Sequence, residues 1–337
     1  MAASAGAGRR RPLPFPGGAA ITTGVEGWVL VEDDPATSLG AVLAWARAQE
    51  VSVLHLLVED PLATGVLARR AGLFTIPPAV WLVRGRALEP AIAAPHLPEV
   101  PAAPVLAAFA ERIAAAGADP VYEHGILRGE VAGLEVARVV VGTADGEPPH
   151  LEVGVGRYDR EAFIAMHPGV DPADFLARVV ADVRGHRHLD AEPHPLNRLA
   201  PERWLRARLL ADPARVGATR LEAVAPPTPQ ADLRQSLLAP AVGVDPDGAD
   251  VVVACSTGVD LDLVPAAADV RLRDRPDARL RIVLPARDAL PVTRALAEGL
   301  ARPAEIVALE VTGHRSLPGE ADPGDPGGGS GGGPSVA

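Results

Sequence analysis

The chain has 337 residues, 48% of them hydrophobic, enough to bury a sizeable core in about two or three units. Only 3% are aromatic, so the cores should be aliphatic, and all 32 basic residues are arginine; without lysine there is no Walker A phosphate loop, no pyridoxal phosphate Schiff base and no lysine general base. A formal net charge of -11 disfavours attraction of the whole molecule to nucleic acid or an anionic membrane and leaves only local basic patches.

The single Cys255 cannot form an internal disulfide. The opening MAASAGAGRRRPLPFPGG lacks the apolar run of a signal peptide, and the longest apolar stretches are strand-sized. A cytoplasmic protein without membrane contact is therefore expected. Residues 1–20 read as a disordered arm of small residues, Pro, Gly and an arginine triplet.

From residue 21 to 90 the pattern alternates between strand and helix. Gly27–Glu32, Val51–Val58 and Ala79–Val83 read as buried strands, and the intervening segments carry apolar positions at helical spacing. This βαβαβ order predicts a parallel sheet with right-handed crossovers. Residues 84–104 are rich in Pro and Ala and mark a boundary; residues 223–249 read as a second connector. Over residues 250–312 the strand–helix alternation returns, and residues 318–337 form a Gly/Pro tail. The expected fold class is α/β: two Rossmann-like βαβ half-units flanking a middle α+β region, residues 105–224, with an antiparallel hairpin. The half-units share a layout in which Gly72-Leu73 corresponds to Gly299-Leu300, as an internal repeat would.

The middle region concentrates charge among strand formers. Val131–Val141 and His150–Arg157 predict a hairpin turning at Asp145-Gly146, with Val139 opposite Glu152 and with Glu135 and Glu152 on one face. Those glutamates, with His124 beside Glu123, are the candidates for acid–base work. In NRLAPERWLRARLLADPARVGATR, Pro201 opens a helix, Leu205 and Leu209 mark its buried side, Arg203 and Arg206 share another face, and Arg208 can lie over Trp204. Together with Arg138, Arg157 and Arg198 these arginines could clamp a phosphate or carboxylate. The rival reading pairs them with the protein's surplus acids. Cys255, ending the strand DVVVACSTG, reads as a buried structural thiol.

The order helix, strand, strand, strand, helix, strand across residues 105–224 resembles the core of the PD-(D/E)XK nuclease superfamily. That resemblance implies Mg²⁺ or Mn²⁺ held by Glu135 and Glu152, with an arginine where the family has lysine. The phrases EHGILRGEVAGLEVARV, LEVGVGRYDREA, HPLNRLAPERWLRARLL and CSTGVDLDLVPAAADVR together resemble an actinobacterial protein family with no activity attached. Three functions stay open: binding or hydrolysis of a phosphorylated or other anionic ligand, metal-dependent cleavage of nucleic acid, and non-catalytic interaction with a partner.

Overall fold

The structure is a computed structural model that describes residues 10–141, 148–166, 172–188, 191–192, 194–228 and 238–310. It is an α/β fold with three separate sheets. The first is built from β1 (Arg11–Phe15), β2 (Gly18–Thr22), β3 (Glu26–Val31), β4 (Val53–Val58), β5 (Ala79–Arg84) and β6 (Ala87–Pro90), hydrogen-bonded in that order. β3, β4 and β5 are parallel and joined through α1 (Leu39–Ala48) and α2 (Pro61–Ala71). Asp60 caps α2 by accepting from the Leu62 and Ala63 amides, at the end where a carboxylate favours the helix dipole. Because both crossovers advance in one direction, both helices lie on one face of the sheet.

Residues 10–20 do not form the expected arm. Gly17, at φ +73°, turns β1 back on β2, and its carbonyl accepts from the amides of Glu32 and Asp33. Phe15 and Ala20 then join the core, a gain that composition alone does not register.

The middle region contains α3 (Leu106–Ala115), β7 (Asp119–Glu123), β8 (Ile126–Val131), β9 (Leu134–Val140), β10 (His150–Val153), α4 (Gly156–Met166), α5 (Pro172–His186) and α6 (Pro201–Ala211). Its four strands make an antiparallel sheet of order β10-β9-β8-β7, and α3 and α5 cover one face with an aliphatic core of their own, including Ile113, Leu134, Val136, Leu176 and Val180. The expected hairpin is present as β9 and β10; its turn at Asp145-Gly146 lies outside the described residues.

The third sheet runs β11 (Arg220–Ala223), β12 (Ala239–Val244), β13 (Asp250–Cys255), β14 (Arg279–Pro285), β15 (Glu305–Leu309), with α7 (Leu263–Asp274) and α8 (Pro291–Gly299) as crossovers. The expected connector 223–249 therefore includes a strand, β12, paired antiparallel with β13. Residues 318–337, read as a tail, lie outside the described residues.

The N-terminal and C-terminal sheets share one core. Val29, Val31, Leu56 and Val58 from the first and Val252, Ala254, Leu280 and Ile282 from the third belong to a single cluster, with α1 and α2 packed against α7 and α8 between the sheets. The segments matched in sequence meet at this junction. Phe74 pairs with Leu300 in an antiparallel bridge, Thr75 N donating to Gly299 O at 3.0 Å and Ala301 N to Leu73 O at 2.9 Å. Ion pairs lock the same junction: Arg70 binds Asp262 at 2.7 Å and Asp269 at 3.1 Å, and Arg69 and His96 each reach Asp269 at 2.8 Å.

Candidate functional site

α6 presents three different stripes to three surroundings, and the candidate site is organised by them. Pro201 fills its first turn, where a missing amide costs nothing. Leu205 and Leu209 face the third sheet, packing with Val251, Val253, Cys255 and Val283. Arg203 and Arg206, three residues apart and therefore neighbours on the helix, face the charged side of the middle sheet. Trp204, Ala207, Arg208 and Ala211 line a cleft.

Between α6 and the middle sheet the ionic side chains form one connected network. Glu123 binds Arg203 at 2.5 Å, Arg206 at 3.0 Å and Arg128 at 3.3 Å. Glu130 binds Arg203 at 2.6 Å and Arg206 at 3.5 Å. Arg128 continues to Glu135 at 2.9 Å, which also binds Arg138 at 2.8 Å and Arg160 at 2.9 Å; Arg160 then reaches Glu152 at 3.3 Å. Glu123 and Arg206 are each 2% exposed, so these contacts operate in a medium far less polar than water. Burial alone would push the Glu123 carboxyl up, but Arg203 and Arg206 outweigh it and hold it below the usual carboxylate range. Burial likewise works against the Arg203 cation, and Glu130 and Glu123 raise it above its ordinary value. Glu123, Glu130 and Glu135 are each engaged by two or three guanidinium groups, which occupies the lone pairs that a general base or a metal ligand needs, while Glu152, partly exposed, meets Arg160 alone among the arginines of the network. Among the described residues, no group of three or more His, Cys, Asp and Glu is placed to hold a metal ion.

The hairpin register differs from expectation by one residue. Arg138, not Val139, lies opposite Glu152, and Val139 pairs with Leu151. A one-residue slip ordinarily sends a side chain to the other face. Here Glu135 and Glu152 still converge, both on Arg160. The reason is the irregularity between Gly129 and Glu130: Gly129 pairs with Ala137 but Glu130 with Glu135, so one extra residue, Val136, is accommodated in β9. Such a bulge reverses the face assignment on one side of itself and brings Glu135 beside Arg138.

The other candidates take separate positions. His124 and Gly125, at φ +51° and +80°, make the tight turn joining β7 to β8. The His124 ring bonds the Pro226 backbone, and burial lowers its pKa, with Glu123 pulling the other way. Arg157 is exposed on α4 and pairs with Glu161, outside the network. Arg198 is exposed in the short 3-10 turn Pro195–Arg198. The Cys255 thiol is fully buried and pushed up to about 12 by that burial, as a structural thiol would be.

On the far side of α6 lies a cavity of about 540 Å³, bounded by Gly117, Asp119, Arg184, Arg187, His188, Trp204 and Arg208 among others. The cation over Trp204 is Arg187, with its guanidinium carbon 5.0 Å from the ring centroid, in place of the Arg208 expected from i+4 spacing. Arg187 donates to four backbone carbonyls, those of Ala132, Leu196, Leu199 and Ala200, at 2.9–3.0 Å. Its burial lowers its pKa to about 10, partly offset by Glu130 and Glu202. Arg184 donates to the Gly117 carbonyl. Arg208 is half-buried, its pKa lowered by burial and by neighbouring Arg215, and has no carboxylate partner among the described residues. Sequence reasoning missed Arg184, in the last turn of α5, and Arg187, which follows it. No helix of the described chain is long and apolar enough to cross a membrane. No family model, no curated protein and no solved structure matches the chain.

Proposed function

We propose that the protein binds a small anionic ligand, a phosphorylated molecule in the first instance, in the cleft between α6 and the end of α5. One observation carries this reading: Arg208, half-buried on the cleft wall, lacks a carboxylate partner among the described residues, while Arg203 and Arg206 of the same helix are paired with glutamates. Leaving a cation partly desolvated in a chain of net charge -11 costs free energy that a bound anion recovers. Arg184 and Arg187 add positive potential, and Trp204 offers an apolar wall beside them. A volume near 540 Å³ falls within the range of small-molecule sites, roughly 300–1,000 Å³.

The reading is of binding rather than hydrolysis. Glu135, which a metal-assisted cleavage would use, is paired with Arg128, Arg138 and Arg160, and its companion Glu152 is drawn to Arg160. The anion site also moves relative to the sequence expectation, from the inward stripe of α6 to its outward one.

Thermal melting against a panel of nucleotides, sugar phosphates and inorganic phosphate tests the proposal. A ligand at 100 times its dissociation constant adds about 2.7 kcal/mol of stability. Arg208→Glu removes that gain and leaves the melting of the unliganded protein nearly unchanged. A panel without any shift, or a shift that survives Arg208→Glu, overturns the assignment.

A further inference from the structure

The face of the first sheet turned away from α1 and α2 carries two unbroken cross-strand rows. Register places Pro12, Ile21, Trp28, His55 and Ala79 side by side across β1 to β5. The next row holds Pro14, Ala19, Leu30, Leu57, Trp81 and Pro90 across all six strands. These residues alternate with the core residues Val29, Val31, Leu56 and Val58, and so point the opposite way. His55 is the one ionisable residue in either row. Its ring stacks on Trp28 at 3.7 Å, and its Nδ1 accepts from Trp81 Nε1 at 3.1 Å, which fixes that nitrogen as unprotonated. Burial lowers the His55 pKa against the pull of Glu26, so the ring is neutral at neutral pH.

No described helix packs on these rows. The corresponding outward face of the third sheet is covered by Leu205 and Leu209 of α6. We infer that the helix-free face of the first sheet is a homodimer interface, on which a second copy of this chain lays the same two apolar rows.

Two arguments select a second copy as the occupant. The first is area. Six strands about 4.8 Å apart and about six residues long present a face of roughly 24 Å by 20 Å, on the order of 500 Å² in projection. Side-chain relief adds to this, so two copies bury more than about 1,000 Å², the size at which specific interfaces begin. The second is charge. The two rows hold no formal charge, Glu26 lying at their edge on the same face, and a two-fold contact needs only self-complementarity, apolar surface against apolar surface. Two sheets packed face to face are a stable arrangement at about 10 Å separation, and paired tryptophans near the centre supply the kind of anchor that dominates such contacts.

Sedimentation equilibrium of the full chain, up to about 200 µM, decides the matter. The expected result is a monomer–dimer equilibrium of the 34.8 kDa chain that does not weaken as salt is raised, since apolar rows make the contact. Leu57→Glu weakens it at least about 100-fold, the cost of desolvating a charge. Ile21→Glu, at a position already 37% exposed, does the same without threatening the fold. Melting of each variant at low concentration checks that it is folded. A wild-type chain that stays monomeric, or a folded Ile21→Glu variant that still dimerises as tightly, overturns the proposal. So does a monomer that takes up a different protein on this face.

Discussion

The outward faces of the first and third sheets meet different fates although the sheets themselves are built alike. Each has three parallel strands in sequence order, two helices on its inward face and a share of one common core. On the third sheet the outward residues Val251, Val253 and Cys255 are fully buried, because the middle region lays α6 over them. On the first sheet Trp28, Leu30, Leu57 and Trp81 remain partly exposed. The cover on the third sheet has an electrostatic back: α6 gives its leucines to one neighbour and its arginines to the other. An apolar face is thus held down by ion pairs on the far side of the element that covers it.

The largest expected effect comes from breaking that back. Arg206→Ala leaves Glu123 and Glu130 short of a buried partner and should cost about 3–5 kcal/mol, read from urea denaturation at neutral pH. Leu209→Ala, at 1% exposure, should cost about 2–5 kcal/mol by the same measurement. Leu57→Ala on the bare face should cost no more than about 1 kcal/mol when the protein is dilute. Equal losses at Leu209 and Leu57 would dissolve the contrast between the two faces.

A further loss is expected at Gly133, where the chain turns from β8 into β9 at φ +77° and a Cβ would lie 2.3 Å from the Arg203 carbonyl oxygen. Gly133→Ala should destabilise by more than about 1 kcal/mol. It presses on the covered face from the side of the middle sheet.

Acid separates the two kinds of junction further. Glu123 and Asp269 both have folded-state pKa values below their ordinary ones, Asp269 at about 2 because Arg69 and Arg70 overcome the effect of burial. A depressed carboxyl contributes stability that is fully present above its unfolded value and is lost as pH falls through the folded one. Stability should therefore drop between about pH 4 and pH 2. Glu123→Gln should flatten part of that drop through α6, and Asp269→Asn part of it through the α2–α7 contact, both followed by urea midpoints across the range. Smallest of all, Arg157→Ala breaks an exposed pair and should leave stability unchanged within error.

The strands that carry both sheets were legible because they are buried on both sides or alternate cleanly: β3, β4 and β5 begin and end within two residues of the positions that periodicity gives. α6 was legible from Pro201 and its leucine spacing. β1, β2, β6 and β12 were not, since they are short, contain Pro or Gly, and take their stability from pairing to a neighbour that sequence does not reveal. At the candidate site, the residue types of the network were visible but not its connectivity. Convergence of Glu135 and Glu152 depends on an extra residue in β9, and periodicity has no means of signalling a bulge. Arg187 was hidden for a related reason, as its partners are backbone carbonyls from two separate stretches, at Ala132 and at residues 196–200.

The pairing of Phe74 with Leu300 sets a constraint on how the molecule is made. The side of α1 and α2 turned away from their own sheet packs on α7 and α8, which begin at Leu263. On a ribosome the first sheet is therefore complete as hydrogen-bonded strands long before its core can close, and it waits through the synthesis of the entire middle region with apolar surface on both sides. Contacts spanning more than two hundred residues are slow to form, and waiting surfaces of this kind are those that chaperones bind. The middle region, with its own aliphatic core, can fold during that interval, so the last segment to emerge closes the two halves onto each other.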